Sequence, residues 1–281
     1  MFSTMETPLK LAIEKEFINT SERVKSVDLR PTQPWILASL HSGTMRIWNY
    51  HSQTLEKSFK VTESPVRTAK FIARKDWSVC ASDDRFIRIY NYNTLEKVKE
   101  FEAHGDYIRC VAVHPTFPYV LSTLLQVPHL IIWNLDSSAA KFSLDAHSKG
   151  INCLDYFTNS DKSFLLTGSD DYTAKFWNYE TKSCVQTLEG HTHNDTAVCI
   201  HPELPIIITV SEDQTVRLWN ATTYRLEEYT KLWLRKSVGC WTQEKFKPVS
   251  FLLIFLGKMF ASASIAFGSD KGTIMVKIIS A

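Results

Sequence analysis

One motif recurs along almost the whole chain at a nearly constant spacing. An alternating apolar run ends in an aromatic residue followed by asparagine, and the aromatic positions lie 42, 43, 44 and 42 residues apart. The five aromatic residues are Trp48, Tyr90, Trp133, Trp177 and Trp219. A fixed period of this length indicates a repeat architecture, in which each copy folds as one supersecondary unit and stacks on its neighbours.

Two further markers keep the same phase. Histidines end the loop segments "EAH", "DAH" and "EGH", and the segments "VDLRPTQPWILAS", "VAVHPTFPYVLST" and "VCIHPELPIIITV" each read as a strand, a Pro-bearing turn and a second strand. No helical stretch separates these strands, so the sequence predicts an all-β fold. The period and the markers together resemble the WD repeat, which forms one four-stranded blade of a β-propeller.

We predict a single propeller domain over residues 1–281 with six repeat units. In the sixth unit, "GSDKGTIMVKI", Lys277 replaces the aromatic residue and lies 58 residues after Trp219, about 16 too many. We interpret residues 243–260 as an aberrant insertion that distorts this blade. Residues 9–20 alternate before the first unit, and we expect them to supply the outer strand of the last blade and close the ring.

The recurring polar residues are interpreted as a structural network. In WD repeats an aspartate six residues before the aromatic accepts a hydrogen bond from the loop histidine, and a hydroxyl and the Trp indole complete the chain. The residues assigned to it are Asp84, Asp171, Asp213, His104, His147, His191, Trp177 and Trp219. Catalysis by these His, Asp and Ser residues is the alternative, but a motif repeated in every blade indicates structure, so we predict no enzyme.

Composition excludes several function classes. The net charge of +2 gives no global field that would favour nucleic acid. The six cysteines show no CxxC spacing and indicate reduced thiols, no metal constellation is found, and we predict no cofactor. The start has no signal-peptide pattern, and the apolar run at 249–257 is too short to cross a bilayer. We therefore expect a soluble intracellular protein without a transmembrane segment.

Basic residues align at the starts of three consecutive repeats. Lys25, Arg67 and Arg109 take the same slot, Arg23 lies two residues before Lys25, and the fourth and fifth units place Asn152 and Ala197 there. These are the aligned residues: Arg23, Lys25, Arg67, Arg109, Asn152 and Ala197. Neighbouring cations on one rim suit a carboxylate or phosphate.

Acids align one residue before the network aspartates, at Asp83, Asp170 and Glu212, and Asp106 lies in the loop before Arg109. We expect these acids to be unused by the structural network. A rim with both signs suits a ligand that carries both signs. The alternative is a solvated rim with ordinary surface charges.

Several longer stretches carry a more specific resemblance, among them "PTQPWILASLHSGTMRIWNY", "NYNTLEKVKEFEAHGDYIRCVAVHPT" and "GSDDYTAKFWNYETKSCVQTLEGH". They resemble the N-terminal propeller of the coatomer β′ family, part of the COPI coat of Golgi-to-endoplasmic-reticulum vesicles. That family has seven blades in this propeller, a second propeller and an α-solenoid, and these later parts are not among the 281 residues. The resemblance implies a cytoplasmic protein, peripheral on Golgi membranes and vesicles, with other coatomer subunits as partners. The competing hypothesis is a generic WD-repeat scaffold without a coat role.

The resemblance also implies a ligand, the C-terminal dilysine signal on cytosolic tails of membrane proteins. Arg23, Lys25 and Arg67 would bind the terminal carboxylate. Asp106 and Asp170 would each bind a lysine, with Arg109 beside them.

The third repeat departs from the others. Residues 121–134 read "LSTLLQVPHLIIWN", whereas 166–178 read "LTGSDDYTAKFWN". The third unit begins like the family's third blade and ends like its fourth, which indicates a deletion of one repeat length that preserves strand alternation. No acid remains in "LLQVP", so we predict that dilysine binding is weakened or absent.

Overall fold

The fold is built from antiparallel strands. The computed structural model describes residues 10–18, 23–30, 32–124, 127–159, 162–200, 205–231, 262–268 and 273–280. These residues contain no helix, and so none that is long and apolar enough to cross a membrane.

Five four-stranded sheets follow one another along the chain, each in sequential strand order. Blade 1 contains β2 (Val24–Leu29), β3 (Trp35–Leu40), β4 (Thr44–Asn49) and β5 (Thr54–Lys60). Blade 2 contains β6 (Val66–Ile72), β7 (Trp77–Ser82), β8 (Phe86–Asn91) and β9 (Lys97–Glu102). Blade 3 contains β10 (Ile108–Val113), β11 (Tyr119–Leu124), β12 (His129–Asn134) and β13 (Ala139–Asp145).

Blades 4 and 5 continue the same arrangement. Blade 4 contains β14 (Ile151–Asn159), β15 (Lys162–Ser169), β16 (Ala174–Asn178) and β17 (Ser183–Leu188). Blade 5 contains β18 (Asp195–Ile200), β19 (Ile206–Ser211), β20 (Thr215–Asn220) and β21 (Leu226–Lys231). The first strands of consecutive blades contact one another, which makes them the innermost strands of the propeller.

The sixth sheet has three strands in the described residues, so the structure has five four-stranded blades and not the six units, the last one distorted, that the sequence predicted. β1 (Lys10–Ile18) pairs antiparallel with β23 (Thr273–Ser280), which also pairs with β22 (Ser262–Gly268). β22 contacts β2 of blade 1. Among the described residues the sixth repeat contributes β22 and β23 to this sheet, and the N-terminal strand β1 adds the third. The predicted insertion at 243–260 lies outside the described residues.

Apolar residues from neighbouring blades share common core layers. Between blades 2 and 3, Ile87 and Ile89 are fully buried and belong to one cluster with Val111, Val120 and Trp133. Burying each large apolar side chain contributes roughly 1.5–3 kcal/mol. The alternation along each strand therefore packs one blade onto the next and fixes the loops at the rim.

The asparagine after each aromatic residue closes the turn to the outer strand. In blade 4 the Asn178 side-chain oxygen accepts hydrogen bonds from the backbone N–H of Glu180 at 2.9 Å and of Thr181 at 3.0 Å. The same two bonds form in the other four blades. This turn chemistry explains why "WN" or "YN" recurs with the period.

Blade 3 differs at the turn between its second and third strands. Tyr119 lies opposite Asn134, as equivalent residues do elsewhere, but six residues separate the last pair, Thr123 and Leu130, instead of five. The other four blades place a residue with positive φ in this turn: Gly43, Arg85, Tyr172 and Gln214. Pro128 takes that place in blade 3, and proline cannot adopt positive φ. The second and third strands of blade 3 therefore pair as in the other blades, and the turn between them is one residue longer.

Candidate ligand-binding rim and the blade networks

A complete polar network runs through blade 4. His147 Nδ1 donates to Asp171 at 3.0 Å, and its Nε2 lies 2.7 Å from the Thr167 hydroxyl. The Trp177 indole N–H donates to the same hydroxyl at 3.0 Å. The backbone N–H of Ser148 also donates to Asp171, at 3.1 Å, so the carboxylate pins the loop that precedes the blade.

Blade 5 repeats this network. His191 Nδ1 donates to Asp213 at 2.8 Å, and its Nε2 lies 2.8 Å from the Thr209 hydroxyl, which accepts the Trp219 indole N–H at 3.0 Å. Burial alone would raise the pKa of Asp213, but hydrogen bonds from Thr215 and His191 outweigh it and lower that pKa to about 2. In blade 4 the bonds from His147 and Thr173 likewise outweigh burial and hold the pKa of Asp171 well below its ordinary value. The carboxylates of both blades are therefore ionised and satisfied.

In blade 2 the expected histidine partner of Asp84 is absent among the described residues. The Thr62 hydroxyl donates to Asp84 at 2.7 Å from the loop, and the Arg88 guanidinium pairs with it at 2.8 Å. Burial opposes ionisation, yet the bonds from Arg88, Ser82 and Thr62 lower the pKa of Asp84 to about 2. A threonine and an arginine thus replace the histidine, because the loop before blade 2 carries none.

Blade 3 keeps only the neutral part of the network, which corrects the assignment of His104 to a complete one. His104 Nε2 lies 2.6 Å from the Ser122 hydroxyl, which also accepts the Trp133 indole N–H at 2.8 Å. In the other networks the aspartate lies three residues before the first paired residue of the third strand. In blade 3 that paired residue is Leu130, and Val127 takes the aspartate position. Burial therefore lowers the pKa of His104 to about 4 without an opposing carboxylate.

The aligned basic residues occupy a β-bulge at the start of each innermost strand. In every blade the register shifts across one extra residue. The bulged residues are Lys25, Arg67, Arg109, Asn152 and Thr196. Thr196, and not Ala197 as expected, takes the slot in blade 5, since the bulged residue follows the loop histidine by five residues in blades 3, 4 and 5 alike. A bulge re-aims its side chain out of the ladder, which explains why this position faces the rim.

Three cations meet around a histidine that the sequence prediction did not include. Burial is the largest cause that lowers the pKa of His41, followed by the charges of Lys25, Arg23 and Arg67. The His41 backbone N–H donates to the Arg23 carbonyl at 2.9 Å. His41 lies seven residues before Trp48, and other repeats carry an acid at this position. This alignment was the signal that could have identified His41 as part of the rim.

Two of the acids seven residues before the aromatic, Asp83 and Asp170, are paired within their own blades, so the expectation that structure does not use them is wrong for these two. Asp83 accepts both Nε and Nη2 of Arg67, at 2.6 and 2.8 Å. Asp170 accepts Nδ2 of Asn152 at 2.7 Å. In blades 2 and 4 the bulged residue therefore reaches the acid that follows the second strand of the same blade.

The remaining predicted rim residues lie on blade 3. Asp106 is exposed, and its carboxylate accepts the neighbouring Tyr107 N–H at 2.7 Å. Arg109 is half-buried on β10. The structure thus brings Arg23, Lys25 and Arg67 together around His41, and it places the acids and Arg109 on the following blades.

Comparison with known proteins identifies the repeat. The model of the family "WD domain, G-beta repeat" matches residues 14–49, 95–124, 139–178 and 182–220, slightly more than half of the chain.

Curated relatives share long stretches of sequence with the chain. Coatomer subunit beta'-2 of Arabidopsis thaliana is 52% identical over 241 residues, covering 70% of this chain and 26% of that protein. Coatomer subunit beta' of Rattus norvegicus is 42% identical over 314 residues, covering 96% of this chain and 33% of that protein. Coatomer subunit beta'-2 of Oryza sativa subsp. japonica is 51% identical with the same coverage.

The chain therefore spans about a quarter to a third of the length of these relatives. The rat alignment has 314 positions, and 96% of the 281 residues fills about 270 of them. About 44 positions are left without a residue of this chain, the length of one repeat. With its five four-stranded blades, its blade networks and this family match, the chain belongs to the WD-repeat family and is a homologue of part of coatomer subunit β′.

Proposed function

We propose that this chain is a coat-protein propeller of the coatomer β′ type that binds C-terminal dilysine signals of membrane cargo. It would act in Golgi-to-endoplasmic-reticulum and intra-Golgi vesicle transport, as a binding module and not as an enzyme. Its partners would be other coatomer subunits and cytosolic tails, on the cytoplasmic side of Golgi membranes and COPI-coated vesicles. The names of the relatives support the coat role.

The observation that carries the proposal is that Lys25 and Arg67 are the bulged residues of two contacting innermost strands, and that the Arg23 carbonyl beside them accepts the His41 backbone N–H. Lys25 is 5% exposed, so its charge is held in a partly desolvated place where a carboxylate gains more than in water. Asp83 fixes the Arg67 guanidinium through Nε and Nη2, which leaves Nη1 for a ligand. A chain terminus is a compact carboxylate of the kind that such a group of donors favours.

The acids supply the complementary part. Asp106 is exposed, and one oxygen of Asp170 remains after the bond from Asn152. Each exposed ion pair with a tail lysine contributes about 1 kcal/mol or less, so one propeller binds weakly. A coat that presents many copies to a membrane compensates through effective concentration.

Calorimetric titration with a synthetic tail ending in Lys-Lys-x-x tests the proposal. The free-acid peptide should bind, and the same peptide with an amidated C-terminus should bind at least about tenfold more weakly, since it lacks the charge that the cations receive. Arg67→Gln should weaken binding similarly. Lys182→Gln is the matched control, because it removes one positive charge from the turn between the third and fourth strands of blade 4, away from the rim. Equal affinities for the acid and the amide would refute the proposal.

A further inference from the structure

Blade 5 carries an acid where every other blade carries an aliphatic residue. β18 begins at Asp195, which lies opposite Ser211 immediately before the bulge. The residues at the same register position in blades 1 to 4 are Val24, Val66, Ile108 and Ile151, and all are at most 1% exposed. The position belongs to the packed seam between neighbouring blades, and the sequence analysis gave Asp195 no role.

The carboxyl group of Asp195 is completely enclosed. The residue is 0% exposed, and neither carboxyl oxygen has a hydrogen-bond partner in the described structure. The nearest basic atom, His191 Nε2, is 3.9 Å away and already bonded to Thr209 at 2.8 Å. An ionised carboxylate without a partner costs several kcal/mol in such a place, so the group retains its proton instead.

The surrounding charges act in the same direction as burial. Burial is the largest cause that raises the pKa of Asp195, to about 8, and the carboxylates of Asp213 and Asp171 add to it, while Arg217 opposes them. The titratable and charged groups that face Asp195 from the elements packed against it are His191, Asp213, Arg217, Asp171 and Cys153.

The seam around Asp195 is connected to the rim. The Asp195 Cβ is 3.0 Å from the position that a Cβ atom on Gly168 of β15 would take. Blades 4 and 5 are therefore in close contact at this point. Asn152 Nδ2 of β14 donates both to the Asp195 backbone oxygen, at 3.1 Å, and to the rim carboxylate of Asp170, at 2.7 Å. A change in the position of Asp195 therefore reaches Asp170 through one side chain.

We propose that Asp195 is a proton-operated latch between blades 4 and 5. The protonated carboxyl allows β14 and β18 to pack closely, and loss of the proton places an unpartnered charge in the seam and loosens it. Loosening also breaks the bridge that Asn152 makes to Asp170.

The sign of the pH dependence follows from linkage. The pKa of Asp195 is raised in the folded chain, so between the ordinary aspartate value near 4 and about 8 the unfolded chain has lost a proton that the folded chain keeps. Each pH unit in this range increases the unfolding equilibrium constant by up to tenfold. The stability contribution is largest at acidic pH and is lost as pH rises.

Urea unfolding of the full chain from pH 5 to pH 8 tests the latch. Asp195→Val restores the residue type of the other blades, and Asp195→Asn keeps the shape but cannot titrate. The unfolding constant of the wild type relative to each variant should rise by up to about 1,000-fold between pH 5 and pH 8, because groups common to all three proteins cancel in the ratio. A ratio that does not change with pH would overturn the proposal.

Hydrogen exchange locates the effect. Amides of β14 and β18 should open more often in the wild type at pH 8 than at pH 5, after correction for intrinsic rates, and this change should vanish in Asp195→Asn. Amides of β2 and β6 in blades 1 and 2 are the internal control. Loosening that is equal in all blades, or absent from β14 and β18, would contradict a latch at this seam.

Discussion

Blades 3 and 4 have the same strand pairing but different polar interiors. In blade 4 an ionised aspartate holds both the loop histidine and a loop amide, and the histidine continues to a threonine and the Trp177 indole. In blade 3 the chain of hydrogen bonds stops at His104. The hydrogen bonds between the strands of a blade therefore do not depend on the aspartate of its polar network.

The turn explains what blade 3 has lost. It is one residue longer, it has Pro128 where the other blades have a left-handed residue, and Val127 stands in the aspartate position. The loop that carries Asp106 consequently lacks the carboxylate that anchors the loops before blades 4 and 5. Blade 3 thus pairs its strands correctly although the loop before it lacks the carboxylate anchor of blades 4 and 5.

The largest expected difference comes from removing the carboxylate of blade 4. Asp171→Ala leaves His147 Nδ1 and the Ser148 amide without their acceptor, and we expect a loss of about 2–3 kcal/mol in the free energy of unfolding. Val127→Ala, the same truncation site in blade 3, removes two methyl groups from a half-buried position and should cost about 1 kcal/mol. Urea denaturation of both variants measures the contrast, and equal losses would show that the networks are equivalent.

Lowering the pH should have a smaller effect, a loss of about 1–2 kcal/mol in the free energy of unfolding that His104 contributes. The pKa of His104 is lowered by burial to about 4, so its contribution to stability is present above pH 6.5 and is lost as pH falls towards 4. The wild type should therefore lose stability relative to His104→Asn across this range. His191→Asn in blade 5 is the matched variant. The hydrogen bond from His191 to Asp213 and the charge of that carboxylate oppose burial there, so the corresponding loss should be smaller.

These pH series are measured as urea midpoints at pH 7, 6 and 5. An identical pH dependence for the two histidines would contradict the view that blade 3 lacks a carboxylate partner.

The period of the aromatic residues was enough to predict an all-β propeller, because each blade is a local unit whose turns are closed by its own asparagine. The pairing of the N-terminal strand with the last repeat was anticipated from its alternation, but the sixth sheet has three strands in the described residues and not the four of the other blades, because the sixth repeat lacks the regular spacing of the first five. The basic-residue position of blade 5 was misplaced by one residue, although a constant spacing of five residues from the loop histidine points to Thr196.

Part of the rim was predictable and part was not. The alignment of Lys25 with Arg67 predicted cations on neighbouring blades, and these two side chains do lie near His41. The pairing of Arg67 with Asp83 was missed, because it depends on the direction in which a bulge points a side chain. The buried Asp195 was missed because a single acid in an alternating run does not disturb the period.

The most direct test compares this chain with a seven-blade coatomer β′ propeller in parallel titrations with one dilysine peptide. We predict weaker binding by this chain, by about tenfold, because blade 3 has Val127 in the aspartate position and so lacks the carboxylate that anchors the loops before blades 4 and 5. Both affinities should fall with added salt, as expected for exposed ion pairs. Equal affinities would contradict the prediction that the altered turn of blade 3 weakens the binding site.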